Sequence, residues 1–337
     1  MMEAVMAENC KIDFVVTWVD GSDQDWLNKK AQYTGKFVSA TDTQARYRDW
    51  DTLKYWFRGV EKFAPWVNNI YFVTDGQKPQ WLNIDHPKLR WVSHSDFIPS
   101  EYLPTFNSNA IELNFHRIEG LSENFVYFCD DVFLVAPTTQ EDFFEDNLPK
   151  DHTVFEPLIP QGEFQYITFN NIQLLNRHFT ACDSIKQHTL KWLSHQSPSD
   201  MLKLFLYGRK PYIYGMRDYH IHRPLKKSTY ELLWEKEYEV LNKTSSNKLR
   251  QKDDVSVVAL RNWQMLSGEF SPSRPIGRLY HTETLFNSND AIKSITSGKY
   301  KVVCINDTDN ETDFENHRQM VVEAFEKILP DKSQFEL

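Results

Sequence analysis

Glycine is scarce in this chain, 11 in 337 residues, which excludes collagen-like repeats and Gly-rich linkers. Basic residues are outnumbered, 38 Lys and Arg against 47 Asp and Glu, giving a formal net charge of −9. Phosphate contacts need a basic surface, so nucleic acid is excluded as the main ligand, although a local basic pocket is not. Cysteine is limited to Cys10, Cys129, Cys182 and Cys304, far apart and without a C-x-x-C pair. Neither a zinc cluster nor a disulfide scaffold fits that spacing, and the thiols are expected to be reduced. No run of about 18 apolar residues is present to span a membrane. The opening MMEAVMAENCKIDF carries Glu3 and Glu8 and has no signal-peptide core. The expectation is a cytoplasmic protein.

What the chain does have is material for a core. Hydrophobic residues make up 41 % and aromatics 14 %, which rules out global disorder. The length suits one large domain or two closely joined ones. Residues 1–150 read as an α/β part and 151–337 as a mostly helical part, together forming one catalytic unit.

The α/β reading comes from alternating periodicities. Ile12 to Val19 is apolar and β-branched and ends in Asp20-Gly21-Ser22-Asp23. Leu53, Trp56, Phe57, Val60 and Ala64 recur at helical spacing, with Asp49 or Asp51 as the expected N-cap. Ile70–Thr74 reads as a strand ending at Asp75-Gly76, and Leu89–Ser93 as another. Residues 109–119 look helical, opened by Ser108 or Asn109, and Phe125–Cys129 is a strand ending at Asp130-Asp131. Strands separated by helices favour a mostly parallel, twisted sheet. Further on, 183–207, 228–242 and 253–266 are predicted helices. Ser228 and Glu231 form a capping box for the second, and Asp253 and Asp254 open the third. Tyr300–Ile305 is strand-like, and a polar loop past Asp309 leads to an amphipathic helix at 315–328.

Three predicted strands end in acidic residues: Asp20, Asp75 and the pair Asp130-Asp131. Ligands of open parallel sheets bind beyond the carboxyl ends of strands, so acids gathered there suit a metal-dependent, phosphate-handling cleft. Asp75-Gly76 also reads simply as a turn. Asp130-Asp131 is more pointed, because Val132-Phe133-Leu134-Val135 follows at once. Two charges between two apolar runs are costly unless paired or metal-bound. Adjacent carboxylates suit Mg²⁺ or Mn²⁺.

Other candidates carry two readings each. Glu112 and His116 share a helix face at i, i+4, as ligand-orienting groups or as a surface pair. In Tyr219-His220-Ile221-His222-Arg223-Pro224 the alternate histidines point to opposite faces, so one at most faces a cleft. Histidine suits proton transfer near neutral pH, and a loop histidine can equally be structural. Arg250 can fork onto phosphate oxygens or sit in a solvated basic loop. Asp254 can cap a helix. Asp307, after the strand-like run, can return a carboxylate to the cleft or make a turn.

Taken together, these stretches resemble the Stealth family. IDFVVTWVDGSD (12–23) is similar to its first conserved segment. RYRDWDTLKYWFRGVEKFAPWVNNIYFVTDGQKPQWLN (46–83) through LPTFNSNAIELNFHRIEGLSENFVYFCDDVFL (103–134) resembles the second. YHIHRPLKKSTYELLWEKEYEVL with TSSNKLRQKDDV resembles the third, and CINDT (304–308) the fourth. The resemblance implies a nucleotide-sugar fold of GT-A-like type. It implies transfer of a hexose 1-phosphate from a UDP-sugar to a hydroxyl of an acceptor glycan, releasing UMP, in bacterial polysaccharide synthesis. It also implies a divalent metal, Mg²⁺ or Mn²⁺. Residue by residue, Asp130, Asp131 and Asp307 match acidic positions of the family. Arg58 matches an arginine of the second segment, His220 the histidine opening the third, and Arg250 and Asp254 its arginine and aspartate. A shift in the H-I-H-R-P string would exchange His220 for His222. On this reading Asp20 and Gly21 contact the uridine or ribose. His220 is a base or a nucleophile. A lipid-linked acceptor would bring the chain to the inner face of the cell membrane, although no amphipathic basic helix stands out to support peripheral contact. A conventional glycosyltransferase releasing UDP would use the same acidic pair. A non-catalytic glycan-binding module would account for ten tryptophans, but not for acids at strand ends.

Overall fold

A computed structural model describes residues 11–34, 48–159, 161, 162, 164–282, 290–308 and 313–337. Cys10 and the loop expected at 309–312 lie outside the described residues. Strands β1 (Ile12–Thr17), β2 (Ile70–Thr74), β3 (Leu89–Ser93) and β4 (Asn124–Phe128) form a parallel sheet in the order β3-β2-β1-β4. Phe144–Glu145, Leu148–Asp151 and Ser271–Pro272 form a small separate sheet. Strands β1 to β4 are the predicted ones, the small sheet was not expected, and the fold is the expected α/β class.

Side chains alternate across the central sheet with period two. Phe14, Val16, Ile70, Phe72, Val126 and Phe128 enter one hydrophobic cluster. Val15, Tyr71, Val73, Phe125 and Tyr127 enter the other. Both faces are therefore buried, which is why these strands read as continuous apolar runs. The first face is covered by helices Leu53–Phe63 and Phe314–Ile328. Gly59 lets Leu53–Phe63 approach closely, since a Cβ there would meet the Leu134 carbonyl oxygen at 2.8 Å. The second face is covered by helices Lys227–Lys236 and Val258–Leu266.

A fifth strand, Arg223–Lys226, joins the sheet antiparallel to β4, pairing Tyr127 with Arg223 and Asn124 with Lys226. No strand was expected there. Its Pro224 has no N–H to donate, and it is tolerated because the strand lies at the sheet edge. Val132–Leu134 pairs antiparallel with Val302–Asn306, which pairs parallel with Gly277–His281.

Helix boundaries differ from expectation in several places. The run 183–207 is three helices, Ala181–Gln187, Thr189–Leu193 and Pro198–Tyr207. The run 228–242 is two, Lys227–Lys236 and Tyr238–Ser246. Ser228 lies inside the first of these and donates to Glu123 instead of capping. Thr52, not Asp49 or Asp51, precedes Leu53–Phe63. Asn107 caps Ser108–Glu112 through its side chain.

Candidate active site

A cleft of about 1190 Å³ opens beyond the carboxyl ends of β1, β2 and β4. Asp20, Asp75, Asp130 and Asp131 all line it, as strand topology requires. Asp75 does both things the sequence allowed. It precedes Gly76 at φ +78°, and its carboxylate receives Lys29 Nζ at 2.8 Å on the cleft wall. Asp20 accepts from the Ser22 N–H and hydroxyl, ordering the turn. Gly21 lies in that turn and does not line the cleft, so a direct ligand contact for it is corrected.

The acidic pair and the histidine meet because of strand register. Continuing the β4 pairing past Tyr127 and Arg223 carries residue 220 alongside residues 130 and 131. His220 Nε2 stands 3.8 Å from Asp131 Oδ2. The other carboxylate oxygen, Asp131 Oδ1, is buried without a hydrogen-bond partner among the described residues. Asp130 opens to the cleft; desolvation by the surrounding protein, then the Asp131 charge, push its carboxyl up to about 7. His222 points the other way, buried against Phe128 and Phe143, so His220 is the cleft residue.

His220 is held firmly. Its backbone sits at φ +46°, and its N–H donates to Asp218 Oδ1 at 3.1 Å. Arg223 donates to the other Asp218 oxygen at 2.9 Å. Burial pushes the Asp218 carboxyl up, but Arg223 and Arg261 outweigh it and hold Asp218 well below the usual range. Burial alone would lower the His220 imidazole. Asp131, assisted by Asp218, holds it above its ordinary value.

Glu112 forms the cleft floor, accepting from Tyr127 Oη at 3.0 Å, and burial pushes its carboxyl up. Arg250 also lines the cleft and donates to Ser108. Its loop is fixed by Asp254, which is fully buried outside the cleft lining. The Asp254 carboxylate accepts from Asn107 Nδ2 (2.8 Å), Asn247 Nδ2 (2.7 Å) and the Gln251 N–H (3.0 Å). The expectation that Asp254 touches substrate, or caps the helix at Val258, is corrected: it is a positioning residue.

Three further expectations are corrected. Arg58 is buried away from the cleft, bidentate to Glu336 (2.8 and 2.9 Å) and bonded to the Leu329 carbonyl, so it cannot reach a ligand. His116 is half-buried, stacked on Tyr230 and tilted against Trp234 away from the cleft, where the chain tightens into a 3-10 turn at Phe115–Arg117 after helix Ser108–Glu112. Asp307 lines the cleft, but Arg48 takes both its oxygens (2.8 and 2.9 Å) and Trp50 donates at 3.1 Å, leaving it poorly placed as a metal ligand. Arg223 was missed as a site residue: it lines the cleft, and its Nε is buried without a hydrogen-bond partner among the described residues.

Conserved regions 1, 2 and 4 of the Stealth protein match residues 11–38, 46–151 and 293–337. A receptor polysaccharide phosphotransferase, WefC of Streptococcus gordonii, is 44 % identical, over 97 % of this chain and 99 % of its own length. A capsular polysaccharide phosphotransferase, WcwK of Streptococcus pneumoniae, is 43 % identical over the same shares. The chain belongs to the Stealth family. It is accordingly a transferase enzyme. An exopolysaccharide phosphotransferase of Lactiplantibacillus plantarum is 38 % identical over 96 % of both chains. The second conserved region of this Stealth chain spans β2, β3 and β4 and contributes Glu112, Asp130 and Asp131 to the cleft.

The donor set can be tested against a hard divalent cation. The orphaned Asp131 oxygen beside the open Asp130 carboxyl suits Mg²⁺ or Mn²⁺. Cys129 Sγ lies within 4.8 Å of ligand atoms of Asp131 and His220, but burial raises the thiol far above neutrality, so it is not a thiolate ligand. No helix among the described residues is long and apolar enough to cross a membrane.

Proposed function

We propose that this chain transfers a hexose 1-phosphate from a UDP-sugar to a hydroxyl of an acceptor glycan, releasing UMP, in the synthesis of a bacterial surface polysaccharide. The observation that carries the reading is the pairing of His220 with Asp131 at the carboxyl edge of a parallel sheet, with Arg223 and Arg250 facing the same cleft. Asp130 and Asp131 would hold Mg²⁺ or Mn²⁺, which when bound neutralises charge on the diphosphate.

The chain's own groups supply the rest. Arg250 and Arg223 both line the cleft and would receive the phosphoryl oxygens. His220 Nε2 takes the proton of the attacking hydroxyl as it adds to the β-phosphorus. Asp218 holds the His220 backbone, and Asp131 stands 3.8 Å from the imidazole Nε2. Two guanidinium groups suit the charge on a transferring phosphoryl group, and they would equally suit a departing UDP, so the released nucleotide is what separates phosphoryl from glycosyl transfer.

Incubation with UDP-sugars, Mg²⁺ or Mn²⁺ and an acceptor glycan tests this. UMP resolved by chromatography and a phosphodiester in the ³¹P spectrum of the glycan are expected. UDP formed in step with a phosphorus-free product would replace this reading with conventional glycosyl transfer.

A further inference from the structure

The break of the 183–207 run into three helices turns one of them outward. Pro198–Tyr207 starts at a Ser197 cap and sends Leu204 inward. Met201, Leu202, Phe205 and Leu206, at i, i+1, i+4 and i+5, face solvent, with Leu202 58 % and Phe205 54 % exposed. Tyr207 packs against the exposed Tyr214, and the Leu158 N–H donates to the Tyr214 carbonyl, so exposed Ile159 adjoins the same surface. Tyr212, 62 % exposed, lies in the connecting loop.

The charge around this surface is opposite to that of the molecule. Residues 184–217 hold six Lys and Arg and one Asp in a chain of net charge −9. That Asp200 is buried, and Lys203 and Arg217 are paired to Glu156. Arg209 and Lys210 are exposed between the apolar helix and the tyrosines, with the Arg209 guanidinium 3.9 Å over the Phe205 ring.

We propose that helix Pro198–Tyr207, with the loop to Tyr214, docks on an anionic lipid surface. Apolar side chains edged by cations and tyrosines match the boundary between acyl chains and negative headgroups. The net acidic remainder is repelled from such a surface, which favours approach by this face. A second copy fits worse, since a twofold contact would bring two cationic faces together. None of these residues lines the cleft, so the inference stands apart from the proposed reaction.

Flotation of the full chain with phosphatidylcholine vesicles, with and without phosphatidylglycerol, tests the proposal. Binding is expected only with phosphatidylglycerol, and about tenfold or more weaker at high salt. Phe205→Ser with Leu206→Ser should weaken it about a hundredfold. Arg209→Glu with Lys210→Glu should weaken it about tenfold. Both variants should keep the wild-type melting temperature. Absence of binding to phosphatidylglycerol vesicles, or equal binding by folded variants and wild type, overturns the proposal. A wild-type dimer that the Phe205→Ser/Leu206→Ser variant dissociates also overturns it, in favour of a second copy.

Discussion

His220 holds a left-handed backbone, φ +46°, that non-glycine residues seldom adopt, and Asp218 is the group that fixes it there. Replacing His220 with Ala should remove the proposed proton acceptor while the backbone N–H bond to Asp218 still holds the turn. Transfer should fall roughly 10²–10⁴-fold while the UDP-sugar Kd, measured by calorimetry, stays within a few-fold. An inactive His222→Ala variant with normal folding, beside an active His220→Ala, would move the role. In NMR of the metal-free protein, the His220 imidazole should titrate above its ordinary 6.5, and Asp131→Asn should lower it. Asp131→Asn should also cut transfer at least ~10²-fold; activity that survives complete chelation by EDTA would remove the metal from the reading. Arg58 makes the opposite case. Its charge is buried against that of Glu336, and Arg58→Ala strands the carboxylate. A loss of about 3–5 kcal/mol of stability is expected by denaturant titration, with donor affinity of the folded fraction unchanged.

Among the elements, the loop carrying Arg250 depends most on a single side chain. Asp254 only accepts, and it collects donors from Asn107, Asn247 and Gln251. Asp254→Ala should free the loop and raise KM for the donor more than it lowers kcat. Combined with Arg250→Ala, it should add little, because both changes remove the same positioned guanidinium. Additive losses would give Asp254 a separate task. What the sequence revealed, and what it hid, divides along similar lines. Strands buried on both faces are legible as apolar runs, and the acids after β1, β2 and β4 are legible as their ends. The antiparallel strand Arg223–Lys226 was not, since its Pro224 and Lys226 resemble a loop and its partner is distant in the chain. Without that strand nothing placed Arg223 in the cleft. Motif matching carried Arg58 there, although its buried partner, Glu336, lies at the far end of the sequence. Periodicity also ran through the breaks between His188 and Ser197, which concealed the outward face of Pro198–Tyr207.

For the molecule as a whole, acid should be a stress. Burial holds His116 and His222 neutral down to about 3, and His94 to about 4. The unfolded chain protonates these imidazoles near 6.5 and the native one does not, so the unfolded state binds more protons between those values. Stability is full above 6.5 and falls as the pH drops toward 4, by at most about 1.4 kcal/mol per group per pH unit. His220 has the opposite sign, adding stability below 6.5 that fades as the pH rises through its raised pKa. Asp130 and Glu112, whose raised carboxyls take protons in the native state first, share that opposite sign, so on lowering the pH from 7 to 5 His116→Phe with His222→Phe should lose less melting temperature than the wild type does. The edge strand that completes the central sheet also sets an order of events during synthesis. Asp131 leaves the ribosome with β4 already made, well before the segment bearing His220 and Arg223 exists to lie beside it. A nascent chain can thus gather carboxylates without the histidine or its neighbouring arginine, and the proposed chemistry starts only when a late strand closes the edge of an early sheet, so interrupted translation leaves fragments that cannot carry it out.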